Sequence, residues 1–188
     1  MTTRIDRRGF LKQAAGISAA VGFPYLIRSS ALGKAGSVAA SNRITIGFIG
    51  VGGHGIDMNL RTFLGQPDAQ AVAVCDVDSN NMNKARDIVN QKYGNTDCAT
   101  YKDFRDVIAR DDVDAVMVST PDHWHVPISI AALQAGKDVE CEKPTLTVRE
   151  GRALVETVKR YNRVFQWSTG TGRSMSTTGC ASWSATGG

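Results

Sequence analysis

From residue 44 onward the apolar positions gather into short runs, separated by stretches with helical periodicity. Ile44-Thr-Ile-Gly-Phe-Ile49 is β-branched and apolar almost throughout, as expected of a strand covered on both faces. Similar runs recur at 71–76, 114–119, 138–142 and 164–166. The windows 54–64, 82–92, 101–109, 126–134 and 147–161 read as helices between them. Gly65-Gln-Pro67-Asp68 and Ala135-Gly136 punctuate the pattern. Ser79, followed by two asparagines, reads as a helix cap, and Thr147 with Glu150 three residues on reads as a capping box. Strand and helix alternating at this spacing predict an α/β fold, a doubly wound parallel sheet with helices on both faces. The final run is counted as the sixth strand, although only five runs are located.

The first strand ends in Gly50-Val-Gly52-Gly53-His54-Gly55, a G-x-G-x-x-G loop opening a helix. Such a loop brings bare backbone N–H groups up to a pyrophosphate. Gly50 allows the tight turn, Gly52 the approach of the phosphates, and Gly55 close packing of helix on strand. Asp76 stands twenty-one residues past Gly55, where the second apolar run closes. An acid there accepts hydrogen bonds from the ribose hydroxyls of NAD and repels the extra phosphate of NADP. The expected cofactor is NAD, with NADP disfavoured.

Charge changes the picture at the amino terminus. Residues 1–40 hold six of the 22 Lys and Arg and one of the 18 Asp and Glu, so the remaining 148 residues carry 16 basic and 17 acidic groups. The basic excess belongs to that segment, and no basic stripe with interleaved aromatics follows, which argues against a nucleic-acid partner. Arg7-Arg8-Gly9-Phe10-Leu11-Lys12, then a charge-free, mildly apolar stretch, predicts a twin-arginine leader over 1–40, engaging the export machinery and directing the chain to the periplasm. An uncleaved leader would leave it membrane-associated. Cys75, Cys98, Cys141 and Cys180 show no C-x-x-C spacing and predict no structural disulfide.

Two further strand ends carry chemistry. Thr120-Pro121-Asp122-His123-Trp124-His125 is read as a loop after the third run. Pro121 or Trp124 would pack on a flat ring there, and His125 would donate a hydrogen bond. No acid or Cys stands at a spacing that completes a metal site with the two histidines, so no metal is expected. At Glu142-Lys143-Pro144, Pro144 keeps Lys143 extended over the cleft, where a desolvated amine can polarise or protonate a carbonyl.

With these strings, together with "AVCDVD", "YKDFRDVI" and the "RRGFLK" leader, residues 43–166 resemble exported members of the glucose-fructose oxidoreductase / inositol dehydrogenase / rhizopine-catabolism oxidoreductase family. The resemblance implies a Rossmann domain over 41–166 in which Gly50, Gly52, Gly55 and Asp76 hold the dinucleotide. It places Thr120, Pro121 and Glu142 beside the cofactor, and gives Lys143 and His125 catalytic roles. It implies hydride transfer between NAD and a hydroxyl of a sugar or polyol. An NAD-dependent glycoside hydrolase of the same fold and a non-catalytic nucleotide-binding fragment are the alternatives.

The family continues into a second α+β domain, which the resemblance does not reach here. Residues 167–188 are fifteen parts Ser, Thr or Gly in twenty-two with no acid, and read as an aberrant tail. Permitted codons for Ser176 to Gly188, read two bases in, spell HYRLRELVRNGR, a helical and charged string. The expectation is a shifted reading frame and a truncated, inactive chain, with homo-oligomers only where the second domain is present.

Overall fold

The computed structural model describes residues 38–143 and 145–168. Its sheet has six strands: β1 Ile44–Ile49, β2 Ala69–Cys75, β3 Ala99–Tyr101, β4 Ala115–Val118, β5 Asp138–Cys141 and β6 Phe165–Trp167. All pairings are parallel, in the order β3-β2-β1-β4-β5-β6. Strand order reverses between β1 and β4, and ligands of such sheets bind at the carboxyl ends beside that point.

The helices cover the two faces. α1 begins as a π-helical turn, Gly55–Leu60, and continues as Arg61–Leu64; α2 is Ser79–Tyr93, α3 Phe104–Ile108, α4 Asp122–Gln134 and α5 Val148–Tyr161. One face of the sheet buries Ile46, Phe48, Val74 and Met117 with residues of α1 and α2. The other buries Ile49, Val116, Val118, Val139 and Cys141 with residues of α3, α4 and α5. Phe48 and Met117 are almost wholly enclosed, and each such side chain contributes roughly 1.5–3 kcal/mol by leaving water. Cys75, Cys98 and Cys141 are free thiols within this core.

Several boundaries differ from the sequence reading. β3 was not located, because Ala-Thr-Tyr is too short to show a period and its three residues are only half buried. Tyr101, read as helical, belongs to β3, and α3 starts later behind its cap Asp103, which accepts from Arg105 N–H at 2.9 Å. α2 is capped by Asp78 rather than Ser79; its carboxylate accepts from Asn80 N–H at 2.8 Å. α4 starts at Asp122, so His123, Trp124 and His125 occupy its first turn and not a loop. Trp167, assigned to the tail, pairs with Cys141 as the end of β6. The capping box of α5 is present in both directions, Thr147 to Glu150 and back. The leader reading, apart from residues 38–40, the remainder of the tail, Cys180 and Pro144 lie outside the described residues.

Glu140 lies on β5 between Met117 of β4 and Gln166 of β6, and burial pushes its carboxyl up to about 7. The folded chain thus holds this proton more tightly than the unfolded chain does. The contribution to stability is full in acid and is lost as pH rises through the folded value. For this half-buried group, Glu140→Gln is expected to stabilise the fold by about 1–2 kcal/mol at about pH 8 and to change little at about pH 4. Thermal unfolding at the two pH values checks this; equal gains at both would contradict it.

Candidate functional site

The carboxyl ends of β1, β2, β4 and β5 open onto one cleft of about 940 Å³. That volume is at the upper end of the range for small-molecule and cofactor sites, roughly 300–1,000 Å³. Gly50, Gly52, Gly55, Asp76, Thr120, Pro121, Glu142 and Lys143 all line it. The structure therefore brings these eight residues, and Trp124, to one cleft, with His125 the exception among those singled out from sequence.

The loop geometry explains the glycines. Gly50 has φ +84°, the left-handed region, and a Cβ there would stand 2.7 Å from the backbone of Ser119. A Cβ on Gly55 would drive into the carbonyl oxygen of Gly50, so its absence lets α1 sit directly against the strand end. Above the loop there is room. A Cβ on Gly53 would meet nothing within 4 Å, and one on Gly52 only Asn81 Nδ2, at 4.0 Å. An open loop of this kind, at a helix start, fits a pyrophosphate on its backbone N–H groups.

Asp76 belongs to the loop as much as to the strand. Its Oδ2 accepts from Val51 N–H at 2.9 Å and its Oδ1 from Asp78 N–H at 2.8 Å. Each oxygen keeps a further acceptor site for a ribose hydroxyl. At the next strand end, the Thr120 hydroxyl is buried with no partner among the described residues, a polar group that a ligand in the cleft can satisfy.

Glu142 is buried, and its Oε1 accepts from Asn59 Nδ2 at 2.5 Å. His54 Nε2 lies 3.3 Å from the same oxygen, an ion pair when the ring is protonated. Lys143 differs from expectation. It is exposed rather than desolvated, and its amine pairs with Asp122 at 2.9 Å. The hydrogen bond that Lys143 donates to Asp122 raises the Lys143 amine above its ordinary range, and the same bond holds the Asp122 carboxyl below its own. An amine held cationic in this way is suited to stabilising negative charge on an oxygen, not to removing a proton.

His125 is the residue that stands apart. The residue is 1% exposed and lines a second cavity, between α4, α5 and the ends of β5 and β6. Nε2 lies 2.7 Å from the Thr120 carbonyl, to which it donates. Nδ1 is buried without a partner among the described residues. His125 therefore braces the strand end that carries Thr120, while His123 and Trp124 of the same turn face the cleft at the strand ends. The helical start at Asp122 causes the difference, since one turn of helix separates neighbours that a loop could keep together. Among the described residues no three His, Cys, Asp or Glu side chains converge as they would around a metal ion.

Sequence reasoning passed over Asn59, Ser119, Asp122 and His54 as site residues. The one available signal was their position: His54 inside the glycine loop, and Ser119 and Asp122 flanking Thr120-Pro121. Asn59 carried no signal.

A family profile described as an oxidoreductase family with an NAD-binding Rossmann fold, GFO_IDH_MocA, matches residues 44–169. The chain belongs to this family. Gly50 to Gly55, Asp76 and the strand ends around them form the cleft of its NAD-binding Rossmann domain. Among curated proteins, a glycosyl hydrolase family 109 protein of Saccharopolyspora erythraea is 38% identical over 129 residues, covering 66% of this chain and 28% of that protein. Among solved structures, myo-inositol 2-dehydrogenase from Lactobacillus plantarum superposes with TM-score 0.59 at 28% identity, over 67% of this chain and 36% of that one. The scyllo-inositol dehydrogenase of Lactobacillus casei, solved with bound NAD(H) and scyllo-inositol, gives TM-score 0.59 at 25% identity over 66% and 36%. The chain thus spans about a third of the length of the relatives it matches.

Proposed function

We propose that this chain is the cofactor half of an oxidoreductase that transfers hydride between a hydroxyl of a sugar or polyol and NAD. The observation that carries the reading is the convergence of the glycine loop, Asp76 and the Asp122-paired Lys143 on one cleft. The family gives the cofactor class, and the inositol dehydrogenase bound to NAD(H) and scyllo-inositol supports the substrate class. NAD is preferred to NADP, because the Asp76 carboxylate would face the extra phosphate.

When bound, the nicotinamide supplies the hydride acceptor. Loop N–H groups of α1 hold the phosphates, Asp76 orders the ribose, and Thr120 and Pro121 bound the far end of the cleft. Lys143, kept protonated by Asp122, would hydrogen-bond the substrate oxygen and stabilise the charge developing on it while the hydroxyl proton passes to solvent at this exposed end of the cleft and the hydride leaves the carbon. Lys143 and Asp122 are exposed at this end of the cleft, so the described domain is expected to bind NAD with little turnover. The twin-arginine pattern supports export of the folded, cofactor-loaded protein to the periplasm.

A second reading has its own support, since the 38%-identical relative is a glycosyl hydrolase family 109 protein. In that reading NAD cycles and sugar is released without net NADH, whereas the dehydrogenase accumulates NADH. Calorimetric titration of the purified chain with NAD tests the part common to both. One saturable site below about 1 mM is expected, and its absence would remove both readings.

A further inference from the structure

The two ends of the cleft, the phosphate loop and the Lys143 segment, are joined by a knot of buried polar groups. Asn59 sits in the π-helical turn Gly55–Leu60 and is 8% exposed. Its amide nitrogen donates to Ser119 Oγ at 2.8 Å, at the end of β4, and to Glu142 Oε1 at 2.5 Å, just beyond β5. A carboxylate can only accept, so the amide nitrogen of Asn59, and not its oxygen, must face Glu142.

The π turn provides this reach. Arg61 N–H bonds the Ile56 carbonyl five residues back, so the helix is locally wider than an α-helix and carries an extra residue. The same turn begins at Gly55, whose missing Cβ seats α1 on the glycine loop. His54, also in the loop, lies 3.3 Å from the carboxylate that Asn59 holds. Among the described residues, few other contacts restrain the Lys143 segment beyond Glu142. Glu142 N–H bonds the Val118 carbonyl at 3.1 Å, Cys141 Sγ lies 3.8 Å from the Lys143 carbonyl, and the exposed amine meets Asp122.

We propose that Asn59 is a positioning residue for Lys143. Through Glu142 it ties the Lys143 segment to the helix that carries the phosphate loop, so that seating the pyrophosphate and placing the amine are one structural event. Its functional meaning rests on the reading above, but its geometry stands independently of it.

The test reads the reaction of individual lysines with an amine-acylating reagent, by peptide mass spectrometry on the whole chain. In Asn59→Leu, which removes the donors at similar volume, the Lys143 segment loosens and the Asp122 pair opens. Lys143 should then acylate about fivefold faster. Glu142→Ala should do the same, whereas Glu142→Gln keeps an oxygen for Asn59 and should stay near the wild-type rate. Lys137 reports on the fold as a whole, because it is buried with its amine 2.6 Å from the Arg110 carbonyl. The proposal is overturned if Asn59→Leu leaves Lys143 at the wild-type rate. It is also overturned if Lys137 accelerates in parallel, or if Glu142→Gln matches Glu142→Ala. NAD titration of the wild-type chain separates the two ideas: failure to bind removes the functional reading and leaves the acylation result standing.

Discussion

Replacing Gly50 with alanine is expected to destabilise the domain by about 3 kcal/mol and to abolish saturable NAD binding. Two costs add. An L-residue at φ +84° loses about 1–2 kcal/mol, and a Cβ 2.7 Å from the Ser119 carbonyl group and 2.8 Å from Thr120 N must push backbone aside. The displaced backbone is the end of β4, which carries Thr120 and leads into α4, so both halves of the cleft move. Gly53→Ala is the matched control, since its Cβ would meet nothing within 4 Å; it should leave stability unchanged or slightly raised. Urea unfolding with a parallel NAD titration checks both variants. A Gly50→Ala protein as stable as Gly53→Ala would contradict the strain argument.

Asp76→Ala is expected to weaken NAD binding about a hundredfold, on the order of 3 kcal/mol, because one carboxylate serves two purposes. It holds Val51 N–H and Asp78 N–H, and it presents its remaining acceptor sites to the ribose. Truncation leaves the Val51 N–H of a fully buried residue without its partner, so the glycine loop loses order before any cofactor arrives. Asp76→Asn separates the two purposes. It keeps one oxygen to accept from Val51 N–H, gives up the second acceptor that Asp78 N–H uses, and removes the charge, so NAD affinity should fall less than in Asp76→Ala while the ratio of NADP to NAD affinity rises by about tenfold. Calorimetry with both dinucleotides reads the two quantities. An unchanged ratio in Asp76→Asn would show that charge at this position does not set the preference.

The parts of the site legible in the sequence are those whose chemistry is local. A β-branched run, a glycine loop and an acid at the end of the next run are contiguous patterns, and the structure unites them because parallel strands place their carboxyl ends on one edge. The Thr147–Glu150 capping box was legible for the same reason, both partners lying within one turn. β3 was not, because its burial comes from β2, α2 and α3 and not from its own composition. The start of α4, read at residue 126, lies at Asp122: Pro121 sets the extended entry, and Pro127 is carried inside the helix.

Thus the sequence by itself determined the doubly wound parallel fold, the phosphate loop with its partner acid, and the family. Each of these depends on residue types at fixed spacing along the chain. Tertiary structure alone decided which side His125 faces, that Lys143 is paired with Asp122 in the open, and that Asn59 reaches Glu142. Asn59 and Glu142 are 83 residues apart, and they meet because a π turn and two strand ends converge. A hydrogen bond between distant residues depends on the directions of two backbones, and those are set only when the sheet closes and the helices pack against it.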